Sequence, residues 1–115
     1  MSDIALDELA SRLGELTVVD VRAPAEYDGT RGAPCDPRQG HIPGAINVEV
    51  QELMLLGPEG LRDRLGELGA EVVCYCHSGS RSALAVQALV HFGYNARNYS
   101  GSWHEWSRTE LPLET

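Results

Sequence analysis

The 115-residue chain has no apolar run near the roughly 18 residues that a membrane-spanning helix requires. Its start, Met1-Ser2-Asp3-Ile4, lacks a basic stretch leading into an apolar one, so no secretory leader is expected and the cytoplasm is the expected location. Basic residues are scarce: 9 against 17 acidic ones give a net charge of −8, with no lysine or arginine cluster. Nucleic-acid binders carry the opposite balance, which excludes that class. A small anion would meet a repulsive overall field, so any anion site must be locally positive. Cysteine is sparse too. An odd set of 3 argues against a disulfide framework. A zinc reading of Cys74, Cys76 and His77 lacks the usual two-residue gap between thiolates and a second ligand pair, so neither metal nor cofactor is expected. Repeats and low-complexity segments are missing, and the length suits one core, hence a single domain over 1–115.

What is present is an alternation of short strands and helices. Leu6, Leu9, Ala10, Leu13 and Leu16 recur at helical spacing. Thr17-Val18-Val19-Asp20-Val21 is β-branched and apolar, as in a strand buried on both faces. Pro24 to Tyr27 suits a helical turn that Asp28-Gly29 ends. Residues 30–40 are rich in Gly, Pro and charge without periodicity, which predicts a loop, and a mobile one. Ala45 to Val48 is a short strand candidate, and helical material follows around Leu53–Leu56 and Leu61–Leu68, interrupted by Gly57-Pro58. Val72 to Tyr75 is the next strand. Ser82 to Phe92 is apolar on most sides, predicting a largely buried helix capped by Gly93. Asn95 to Tyr99 closes the pattern ahead of a tail with Trp103 and Trp106. Such an order gives an α/β fold, a central and mostly parallel sheet of about five short strands with helices on both faces. Sites in such sheets form at the carboxyl ends of strands.

Cys76-His77-Ser78-Gly79-Ser80-Arg81 occupies such an end, between a buried strand and a helix start. Unpaired N–H groups and the positive dipole end there favour a negative charge. A thiol in that place, with Arg81 and His77 close in sequence, should ionise easily and become a strong nucleophile. The loop is the expected substrate site, with Cys76 as its catalytic residue.

Three segments together resemble the rhodanese (sulfurtransferase) family. They are Val19-Asp20-Val21-Arg22 through Glu26-Tyr27 to Gly40-His41-Ile42-Pro43-Gly44-Ala45, then Tyr75 to Ser82, then Tyr99-Ser100-Gly101-Ser102-Trp103-His104-Glu105-Trp106. The last is similar to the carboxyl-terminal signature of two-domain thiosulfate and mercaptopyruvate sulfurtransferases, so the chain looks like their catalytic half standing alone. The resemblance implies a rhodanese-like fold and a Cys76 persulfide. That persulfide would be formed from a small anionic donor such as thiosulfate and discharged to cyanide, a thiol or a carrier protein. Some two-domain thiosulfate enzymes carry a basic residue where Glu26 stands, and the mercaptopyruvate enzymes have a Gly-Ser-Gly-Val pattern after cysteine that is missing here. Both departures bear on donor choice.

Other residues have plainer readings. Asp20 and Arg22 would pair with each other or brace the loop. His41 would be a hydrogen-bonded structural residue, His91 and His104 surface ones, and Cys74 a core thiol. Cys35 is read as an exposed bystander, with a thiol that resolves the persulfide as the sharper alternative. Trp103 and Trp106 would pack against the sheet. Two rival functions remain. A Cys-based phosphatase or arsenate reductase needs five residues between Cys and Arg, but four separate Cys76 from Arg81 and Ser82 takes the place arginine would need. A persulfide carrier or regulatory module with little turnover of its own is the other.

Overall fold

The computed structural model describes residues 3–115. Four parallel strands, β1 (Thr17–Asp20), β2 (Ile46–Asn47), β3 (Glu71–Tyr75) and β4 (Asn95–Asn98), form one sheet in the order β2-β1-β3-β4. Strand β1 pairs with β3 from Thr17 opposite Val72 to Asp20 opposite Tyr75. Six helices connect and cover the strands: α1 (Leu6–Ser11), α2 (Pro24–Tyr27), α3 (Val50–Leu55), α4 (Pro58–Leu65), α5 (Ser80–His91) and α6 (Ser102–Trp106). Among the described residues the expected sheet of about five strands is one of four. At the outer edge of β4 a single bridge from Asp3 to Asn98 stands where another strand would run.

Alternation along β1 and β3 divides the apolar residues between two cores. Val19, Val21, Val72, Cys74 and Cys76 meet α3, α4 and α5 through Leu53, Leu61, Leu65, Ala85, Val86 and Leu89. Val18, Val73 and Tyr75 turn the other way, onto Leu9, Ile42, Tyr99, Trp103 and Trp106. Both tryptophans are fully buried and each indole N–H reaches a carbonyl, Trp103 that of Arg38 at 2.9 Å and Trp106 that of Pro112 at 3.0 Å. Burying such rings contributes about 1.5–3 kcal/mol each, which secures the carboxyl-terminal tail.

Two helical expectations need correcting. The Leu6–Leu16 periodicity yields a helix that stops at Ser11, after which Leu13 and Leu16 pack from a turn. Helix α5 buries one face only, through Ser82, Ala85, Val86 and Leu89, because it is the outer layer of the sandwich. Leu84 and Val90 on its far side are exposed. Among the described residues no helix is long and apolar enough to cross a membrane.

The 30–40 loop is fastened rather than loose. Arg38 donates to the carbonyls of Ser107 at 3.2 Å and Leu111 at 2.8 Å, and Arg108 donates back to Cys35 O at 2.8 Å. Irregular sequence here reflects tertiary anchoring, which periodicity does not record.

Candidate active site

Cys76 follows the last residue of β3 and is fully buried. Its sulfur accepts the Gly79 N–H at 3.0 Å and faces the Ser82 hydroxyl at 3.4 Å. Gly79 makes this approach possible. Its φ is +100°, and a Cβ there would lie 2.8 Å from the Ser100 carbonyl oxygen, so a side chain meets both strain and backbone. Burial pushes the Cys76 thiol up. The Ser82 hydroxyl and the backbone N–H groups of Ser82, Gly79 and Ser78 outweigh it, and the net direction is down. The Ser82 hydroxyl has a single proton and also lies 3.2 Å from Gly79 O, so it can turn to the sulfur when that carries charge.

Helix α6 holds the loop from below. Trp103 N–H donates to Cys76 O at 2.9 Å and His104 N–H to His77 O at 3.0 Å. Cys76 N–H donates to Ser102 Oγ at 3.1 Å, and the Ser102 hydroxyl passes its own proton to Tyr99 O at 2.8 Å. Ser102 sits at φ +56°, an uncommon conformation for a residue with a side chain, and the contacts it makes hold it there.

Asp20 and Arg22 form a buried pair at 2.8 Å, with side chains 0% and 1% exposed. Asp20 also accepts the Tyr75 hydroxyl at 2.7 Å, and Arg22 donates to Gly40 O at 2.6 Å. Two charges so placed are tolerable because each has several hydrogen-bond partners. The pair clamps the end of β3 to the 30–40 loop. His41 stacks on Tyr27, centroids 3.7 Å apart, and bonds Tyr27 O.

Two loop residues close to Cys76 in sequence have partners of their own. Arg81 is held by Glu26 through both carboxylate oxygens, at 3.0 and 3.3 Å, while Glu26 also accepts the Ala23 N–H at 3.1 Å. Burial raises the Glu26 carboxyl, but Arg81 and that N–H bring it below its ordinary value. The guanidinium is therefore neutralised at short range rather than free for an anion. The His77 ring points away towards Asp36, Nε2 to Oδ2 3.0 Å. The field on Cys76 comes chiefly from backbone and hydroxyl donors. Ser82 and Ser102 are the site residues that sequence reasoning passed over, although both lie in the motifs that carry the resemblance.

The rhodanese-like domain profile matches residues 5–109. The chain belongs to the rhodanese-like domain family. It is 39% identical to a thiosulfate sulfurtransferase of Corynebacterium glutamicum, a match covering 89% of this chain and 39% of that protein. It is 36% identical to that of Azotobacter vinelandii, over 94% of this chain and 44% of the other. The chain thus spans less than half the length of these curated relatives. A crystal structure of a probable thiosulfate sulfurtransferase superposes with a TM-score of 0.85 at 47% identity, covering 98% of this chain and 47% of the other. A human single-domain sulfurtransferase, TSTD1, is matched over 96% of this rhodanese chain and 98% of its own, with TM-score 0.74 and 32% identity.

Proposed function

We propose that this rhodanese domain is a sulfurtransferase that carries sulfane sulfur on Cys76. The observation that supports this best is the ring of donors around a buried sulfur whose acidity they raise against its own burial. The Cys76 thiolate would attack the outer sulfur of a donor such as thiosulfate. The donor S–S bond breaks, sulfite leaves with the electron pair, and a Cys76 persulfide anion remains. A thiophilic acceptor (cyanide, a thiol or a carrier protein) then attacks the outer persulfide sulfur and Cys76 departs as thiolate. The fixed Gly79 N–H and a turn of the Ser82 hydroxyl would stabilise the anion in both states. Ser78, Ser80 and Arg81 would line the approach, His77 would stand aside with Asp36, and Asp20 with Arg22 would hold the strand end. The small loop, with Ser82 where a phosphatase needs arginine, supports sulfur rather than phosphate as cargo.

The test is intact mass after incubation with thiosulfate or mercaptopyruvate. Wild type should gain a single sulfur that reductant removes, and Cys76→Ser should gain none. An unchanged wild-type mass with both donors would sink the proposal.

The Arg81–Glu26 pair favours a second reading of donor choice, in which the loop accepts a singly charged persulfide more readily than dianionic thiosulfate. Releasing Arg81 should then raise thiosulfate use. Glu26→Gln is expected to increase kcat/KM for thiosulfate by about tenfold, the scale of one charge-assisted contact. No gain would leave Arg81 without a part in donor binding.

A further inference from the structure

We infer that Cys35, Asp36, His77 and His104 form a binding site for a borderline-soft divalent cation such as zinc, beside the active-site loop and separate from the Cys76 sulfur. One donor atom from each lies within 4.8 Å of all the others. Cys35 Sγ stands 4.0 Å from His77 Nε2 and 3.8 Å from Asp36 Oδ1, and His104 Nδ1 is 3.5 Å from that same Oδ1. Zinc bonds of about 2.0–2.3 Å place tetrahedral ligand atoms about 3.3–3.8 Å apart, so the four need small side-chain adjustments.

A second observation comes from Asp36 itself. Its side chain is 0% exposed, and Oδ2 has no aligned hydrogen bond; its contact is His77 Nε2 at 3.0 Å, which pairs with it only when that nitrogen carries a proton. A buried carboxylate oxygen without a donor is costly, and a cation would satisfy it. The ligand chemistry balances. The Cys35 thiol releases its proton to water as the metal–sulfur bond forms, and two anionic ligands with two neutral imidazoles neutralise a divalent ion. These residues come from the 30–40 loop, the active-site loop and α6, so tertiary folding alone brings them together. For that reason the sequence, which offered only Cys74, Cys76 and His77, predicted no metal.

One group opposes the ion. Arg108 donates to Asp36 Oδ1 at 3.1 Å and lies 3.2 Å from His104 Nδ1. Its side chain is 39% exposed, and Nη1 can yield Asp36 to the ion while Nη2 keeps its bond to Cys35 O at 2.8 Å.

The experiment titrates reduced, chelator-treated full chain with Co2+ and then displaces it with Zn2+. Wild type should take up a single equivalent with tetrahedral d–d absorption and a thiolate-to-cobalt charge-transfer band. Cys35→Ser should lose the charge-transfer band and bind at least about tenfold more weakly, while Cys76→Ser keeps both. Cys35 is exposed, so its replacement does not threaten folding. The proposal is overturned by a wild type that shows no band, or by a band lost in Cys76→Ser and kept in Cys35→Ser.

Discussion

Cys74 and Cys76 stand two residues apart, point into the same core and are both fully buried, yet their chemistry diverges. Within β3, Cys74 lies in the apolar core and its backbone is spent on the sheet, so burial, with a smaller push from Cys76, raises its thiol to about 12. Past the strand end, Cys76 is equally closed to solvent but less deeply packed, it meets Gly79 N–H and the Ser82 hydroxyl, and its acidity rises. Closure to solvent alone does not distinguish a reactive cysteine from an inert one. The supply of donors does, and the sheet supplies them only where a strand ends and a helix begins.

The contrast depends on the end of β3 being held in place, and the largest effect should come from releasing it. Tyr75, between the two cysteines, turns to the other core and donates to Asp20, which also holds Arg22. Asp20→Asn leaves the Arg22 cation buried beside a neutral amide. The expected loss is about 3–5 kcal/mol, read from the urea midpoint. A loss below about 1 kcal/mol, no more than an exposed pair gives, would show that the strand end is fixed by other means.

Much of this arrangement was legible in the chain. Strands β1 and β3 are β-branched runs bounded by polar residues, and Cys76 stands out because strand, glycine loop and helix follow in order. Helix α5 misled because its outer face carries Leu84 and Val90, apolar residues that the structure leaves in solvent. The roles of Ser82 and Ser102 were hidden for a different reason. Ser102 bonds the Cys76 amide from 26 residues away, through the docking of α6, and a hydroxyl gives no periodic signal. Asp36 lay in the least patterned stretch, where only folding shows that its carboxylate is buried.

Removing the donors should make Cys76 behave more like Cys74. Cys76 is an acid whose folded pKa is depressed, so its thiolate is present above that pKa and is lost as pH falls through it. Ser82→Ala removes one source of the depression and shifts the reactive limb to higher pH. A hydrogen bond to a charged group contributes about 1.5–3 kcal/mol, so alkylation of Cys76 at neutral pH should slow by about tenfold or more. An unmoved pH profile would place the acidifying field in the backbone alone.

The smallest effect should come from the other member of the comparison. Cys74→Ala deletes one buried sulfur from a packed core, a loss of about 1 kcal/mol for a group near a methylene in size, with any residual cavity adding to it. Cys74 makes no hydrogen bond to the loop, and its thiol, pushed up to about 12, remains uncharged wherever Cys76 titrates. It therefore adds no charge to the field on its neighbour. The pH profile of Cys76 alkylation in Cys74→Ala should overlay that of wild type while the urea midpoint drops slightly. A shifted profile would mean that the two thiols are coupled through β3, and the strand interior would then belong to the site it was contrasted with.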